Sequence, residues 1–267
     1  MSSIDEKRVY AARSGHTDAF VACGAGLAWL SVSGGQIGEF ALLNRTAARD
    51  VAVAAGRLVV AGEEVRLGPV ERTPEGPPDV TLDATGFGPA AAVGVHDGAP
   101  VAAAPGADAR VARYDGDWTT LATLPPVRGL SGPLAATADG VYRLDGERAD
   151  SDARQILDGD ARAVAAPLAA TADGLYDLAG APRRLLTGAF VAVAVSDGTA
   201  HAATGETLYG RGPEGWTARD APDAPVALCH ADGAPVVLGE QRVHVAEGGD
   251  WRSRTLGLPD VRAVAVA

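Results

Sequence analysis

The chain has 267 residues, 47% of them hydrophobic, and 34 Asp and Glu against 23 Lys and Arg give it a net charge of −11. That balance argues against nucleic acid as a partner, because phosphate binding needs clustered cations and the sequence has no basic stripe. No apolar run approaches the ~18 residues of a membrane helix, and Cys23 and Cys229 are too few for a disulfide scaffold.

In chain order, "RVYAAR" (8–13) is a short apolar run with no adjacent partner. "FVACGAGLAWL" (20–30) reads as two strands about a turn, and "DVAVAA" (50–55) with "LVVAGEEVRLG" (58–68) repeats that pattern. "ERTPEGPPDVTLDATGFGP" (71–89) is rich in Pro and Gly, carries Phe87, and reads as an inserted surface loop suited to binding a partner. "AAVGVH" (91–96) leads through Asp97-Gly98 into a second strand and ends on the polar run "DWTTLA" (117–122).

Two near-copies follow, "PLAATADGVYRL" (133–144) and "PLAATADGLYDL" (167–178). Between them Asp145, Asp150, Asp152, Asp158 and Asp160 read as a solvated acidic loop. "FVAVAVSDG" (190–198) with "HAATGETLYG" (201–210), and "VALCHADG" (226–233) with "VVLGEQRVHV" (236–245), repeat the unit, closed by "GWTARD" and "DWRSRT". "VRAVAVA" (261–267) is left over at the end.

Each unit opens on a small Val/Ala strand, turns at a tight pair such as Asp-Gly, continues through a second and third strand, and ends on a polar fourth. Asp-Gly between short β runs is a strong hairpin signal. Four short antiparallel strands repeated at this length describe a propeller blade, whose sheet cannot bury both faces without neighbours. The second strands begin near residues 19, 57, 99, 134, 168, 199 and 234. The expected fold is therefore all-β: one β-propeller domain over residues 1–267 with seven four-stranded blades, six or eight being the neighbouring counts. From 234 round to 19 is 52 residues, the longest interval, and it holds both leftover runs. One of them should complete a blade begun at the other end, closing the ring with strands from both termini and removing open edges. Gly140 and Gly174 are expected at positive φ in the second hairpin turns.

"YDGDWTT", "PEGWTA" and "EGGDWRS" resemble degenerate BNR or Asp-box turns. The whole chain, with "RVYAARSGHTDAFVACGAGLAWL" at its start, resembles a haloarchaeal β-propeller family, a resemblance that implies the fold and brings no catalytic residues. Sialidases share Asp-box blades, but no Arg-Ile-Pro occurs here, and no Trp-Asp pair marks WD repeats. Lys7 is the sole lysine and aromatics are 5%, which also fits an acidic, salt-adapted archaeal cytoplasm, where salt screens surface repulsion and strengthens burial of a weakly apolar core. The thermal midpoint is accordingly expected to rise from low to molar KCl, and a midpoint indifferent to salt would remove this reading.

Among candidate site residues, His96 and His230 each sit near the end of a first strand, in "VHDGAP" and "CHADGAP". First strands line the channel, so His96 with Asp97 and His230 with Asp232 are the candidates for a ligand or metal site at one channel mouth. No HxH or HExxH spacing marks a metal centre, and no cofactor or catalytic set is assigned. Cys229 and His230 are adjacent strand residues and point to opposite faces, which argues against a Cys–His pair. Cys23 falls where Thr137, Thr171 and Thr204 fall, a small group in a structural position. The expected role is a non-enzymatic platform for another protein, with an enzyme or small-ligand binder at the channel mouth as the alternative.

Overall fold

The computed structural model describes residues 16–73, 76–144 and 153–267. Among them are seven four-stranded antiparallel sheets and no helix, the seven blades of a β-propeller. The inner strands of blades 2 to 7 are Asp50–Ala54, Ala92–His96, Val127–Ser131, Ala161–Ala165, Ala192–Ser196 and Ala227–Ala231. Blade 1 takes its inner strand, Ala263–Val266, from the far end of the chain and sets it against Thr17–Cys23, followed by Gly26–Ser33 and Gln36–Asn44. The closure expected of "VRAVAVA" is therefore present, with Ala19 opposite Val266 and Ala22 opposite Ala263. "RVYAAR" lies outside the described residues.

Alternation along each strand sends apolar side chains to both faces of a blade. The described buried apolar residues fall into seven clusters, one for each blade junction. Phe20, Leu27 and Trp29 of blade 1 meet Val51, Leu58 and Val60 of blade 2. Val236, Leu238, Val243 and Val245 of blade 7 meet Val21, Leu30 and Val32 of blade 1. The repeated "LAAT" strands fill the middle of the ring, with Ala135, Ala136, Ala169 and Ala170 fully buried. Thr137 explains its own recurrence. Its hydroxyl donates to the carbonyl of Gly140 at 2.9 Å and accepts from the Gly140 N–H at 3.1 Å. Thr171 makes the same pair with Gly174, and Cys23 sets its thiol 3.2 Å from the carbonyl of Gly26.

The seam carries a polar lock. Asp18 is 1% exposed and accepts from Trp29 Nε1 at 2.7 Å. Arg72 of blade 2 lies 3.1 Å from its other oxygen and donates from Nη2 to the carbonyl of Ala267 at 3.0 Å. One arginine thus ties both ends of the described ring together.

Two expectations are corrected. The described residues of 71–89 are not an insertion: they supply the short fourth strand of blade 2, Asp83–Ala84, and then fold inward. Phe87 is buried, edge-on to Trp118 at 4.7 Å and under the Arg110 guanidinium at 4.3 Å. The second correction concerns the turns. In the first hairpins Asp97-Gly98 takes φ of 48° and 74°, as a primed two-residue turn requires. In the second hairpins Thr137 pairs with Gly140, so Ala138 and Asp139 form the loop and the glycine opens the next strand. Gly140 has the expected positive φ, 147°, but Gly174 does not. Glycine is needed there because the fourth strand passes too close for a side chain. A Cβ on Gly140 would lie 2.0 Å from the carbonyl oxygen of Leu157, and one on Gly174 2.7 Å from that of Leu186.

Candidate functional site

The inner strands all run in one direction, so the channel has a mouth where they end and a mouth where they begin. The four residues singled out from the sequence lie toward the end mouth, and the structure gives each a different partner. His96 belongs to blade 3, with Nε2 3.7 Å from Asp97 Oδ2. His230 belongs to blade 7, is buried, and has Nε2 2.8 Å from Nδ1 of His201 in blade 6. Asp232 accepts from Thr17 Oγ1 at 2.8 Å and from the Gly34 N–H at 3.3 Å, spanning the junction of blades 7 and 1. His96 and His230 are not brought into one cluster. No group of three or more His, Cys, Asp or Glu among the described residues could hold a metal ion.

The His201–His230 pair is a neutral one. Burial, then the neighbouring His230 and Arg219, push His201 down to about 4. Burial also lowers His230. Two imidazoles sharing one N–H between blades hold those blades together. Cys229 faces away from His230, and burial pushes its thiol up to about 12, which leaves no thiolate for nucleophilic chemistry.

The beginning mouth is different. A cavity of about 250 Å³ there is walled by Val51, Ala52, Val93, Ala163, Val164, Ala192, Val193, Ala227, Leu228, Ala263 and Val264, and is rimmed by Asp50, Arg128, Arg162 and Arg262. The strand register explains two of the arginines. The pairing shifts between Val127 and Gly129 and again between Ala161 and Ala163, so Arg128 and Arg162 are each the extra residue of a bulge. A bulge re-aims its side chain out of the regular alternation, here toward the channel. Arg262 stands just before the closing strand, its backbone N–H donating to Ala22 O at 3.0 Å.

Arg128 and Arg162 are steadied by Asp160. Arg128 pairs with Asp160 Oδ1 and donates to Ala161 O at 3.1 Å, and Arg162 Nε lies 3.5 Å from Asp160 Oδ2. The hydrogen bond from Arg128, with help from Arg162, holds the Asp160 carboxyl below the usual carboxylate range. Of the acidic loop expected from the sequence, 145–152 lie outside the described residues, and Asp160 belongs to this mouth. Arg262 is exposed and has no ion-pair partner among the described residues.

Asp50 is half-buried in the channel wall, and the surrounding ring crowds its carboxyl. That desolvation raises its pKa to about 7, against the opposing pull of the Val93 and Val51 N–H groups, each 2.9 Å from a carboxylate oxygen. The crowding outweighs the small open area, because it is the missing bulk water around the charge that destabilises it.

Sequence reasoning missed this mouth. The signal was a polar residue at the front of four of the seven inner runs, in "PVRGL", "DARAVA", "DVRAVA" and "RDVAVA".

A family model described as "Beta-prop_HVO_0234:-like, beta propeller" matches residues 3–267. No curated protein matches the chain. Among solved structures, a candidate 6-phosphogluconolactonase from Bacteroides fragilis is 12% identical with TM-score 0.65, over 96% of this chain and 99% of that one. The WD40 propeller domain of Doa1 is 14% identical with TM-score 0.57, over 89% of this chain and 88% of that one. Apo AztD from Citrobacter koseri is 12% identical with TM-score 0.54, over 94% and 98%. At these identities the likeness shows the fold alone.

Proposed function

Since this chain belongs to the HVO_0234-like β-propeller family, we propose that it is a non-enzymatic binding ring that reads an anionic ligand at the mouth where its inner strands begin. One observation carries this: three arginines from three different blades converge on a single concave cavity, in a chain whose net charge is −11. Guanidinium groups match carboxylate and phosphate oxygens two at a time, and a concave recess screens such pairing from part of the bulk solvent. The cavity is smaller than the ~300–1,000 Å³ of drug-sized sites, so the ligand is small.

A propeller is also a fold that commonly mediates protein–protein contact. The expectation of a protein partner has that general support, while the ligand reading has the arginine mouth as well. A protein would engage the same mouth by presenting a single carboxylate.

Isothermal calorimetry with succinate and with inorganic phosphate tests the reading. At least one should bind the wild-type protein, and Arg162→Gln with Arg262→Gln should weaken it at least ten-fold while leaving the thermal midpoint of the free protein nearly unchanged. Binding that is equal in wild type and variant would move the ligand elsewhere and return the protein-platform reading to first place.

A further inference from the structure

The mouth carries an imbalance that an anion alone does not resolve. Asp50 faces the cavity from blade 2, and among the described residues no arginine forms an ion pair with it. Its two oxygens take backbone N–H groups from Val51 and Val93, which leaves acceptor positions free, since a carboxylate offers about four. Arg162 stands in blade 5, three blades away, the greatest separation a ring of seven allows. Arg128 stands two blades away, and both are braced on Asp160 rather than on Asp50. Arg262 precedes the inner strand of blade 1, beside blade 2, and is exposed. The cavity thus carries the two Asp160-braced arginines on the far wall from Asp50, with Arg262 flanking the carboxyl's own side.

We infer that the ligand is a small zwitterion, its anionic end held by Arg128 and Arg162 and its ammonium end held by Asp50 across the channel. This rests on the anion-binding reading above and adds the second pole. Desolvation makes the lone Asp50 carboxylate unfavourable. An incoming ammonium group would supply the missing partner, so the ligand's positive end is bound where it relieves an existing penalty.

Three four-carbon probes separate the possibilities: 4-aminobutyrate, succinate and putrescine, each titrated into wild type, Arg162→Gln and Asp50→Asn. The wild-type protein should bind 4-aminobutyrate at least ten-fold tighter than either of the others. Asp50→Asn should erase that preference and leave succinate binding equal or stronger. Arg162→Gln should weaken 4-aminobutyrate and succinate alike. A mutation-free readout stands beside these. An ammonium on Asp50 favours its ionised form, so 4-aminobutyrate binding near neutral pH should release protons, seen as a dependence of calorimetric enthalpy on buffer ionisation. Succinate should instead take protons up. Succinate binding as tightly as 4-aminobutyrate, or proton uptake with 4-aminobutyrate, would overturn the zwitterion inference and leave the anion site standing. Failure of all three probes, with phosphate also inert, would remove both.

Discussion

Deleting Val261–Ala267 is expected to unfold the ring. The deletion removes the inner strand of blade 1, with its four ladder pairs to Thr17–Cys23. It also removes the bonds from the Arg262 N–H to Ala22 O and from the Ala267 N–H to Asp18 O. At about 1 kcal/mol net per backbone bond, these contribute several kcal/mol. Val261 is buried in the junction with blade 7 and contributes roughly 1–2 kcal/mol, while Val264 and Val266 are partly buried there and contribute less. The loss continues beyond the deleted residues, because Arg72 loses the carbonyl of Ala267 and Thr17–Cys23 becomes an open edge. The total is comparable with the roughly 5–15 kcal/mol that holds an ordinary domain together. Circular dichroism should show no cooperative thermal transition above room temperature. A truncated chain melting within a few degrees of wild type would mean that ring closure contributes little.

Gly140→Ala is expected to cost about 3 kcal/mol or more, while Gly98→Ala should cost about 1 kcal/mol. Both glycines follow an aspartate and both have positive φ, yet Gly140 answers a further constraint. Gly98 has φ 74° with nothing within 4 Å of a built Cβ, so an alanine pays only for a left-handed backbone. Gly140 would place its Cβ 2.0 Å from Leu157 O, and that carbonyl belongs to the paired fourth strand of blade 4. Relief requires the strand to move, which breaks the pairing of Val141 with Leu157. Urea unfolding of the two variants gives the comparison directly. Equal losses would show that backbone conformation, not strand approach, is what both positions demand.

The starts of all seven second strands were legible in the sequence, as was the terminal closure. Hairpins are local objects: Asp97-Gly98, Asp197-Gly198 and Asp232-Gly233 fix their turns through positive φ at both central residues. The strands they join then follow from period-two alternation over a few residues on either side. Positions such as Cys23, aligned with Thr137 and Thr171, could be assigned a structural role because the turn they staple lies only three residues away. Positive φ, the constraint read from the sequence, holds at Gly140 and fails at Gly174, and both glycines answer a second one. Their constraint is the fourth strand, whose path includes a register shift that local patterning does not display.

What the sequence by itself determined is the repeated sheet and its order round the ring, since each hairpin is specified by neighbours along the chain. What only the tertiary structure decided is which polar residues meet. His230 takes His201 of the next blade instead of joining His96, because blade-to-blade stacking, not similarity of sequence context, sets who faces whom. Asp50, Arg128, Arg162 and Arg262 lie in four different blades and share no motif, yet all rim one cavity. They converge because seven parallel inner strands begin on the same side of the channel, and because two bulges turn arginines inward that a regular ladder would have sent elsewhere.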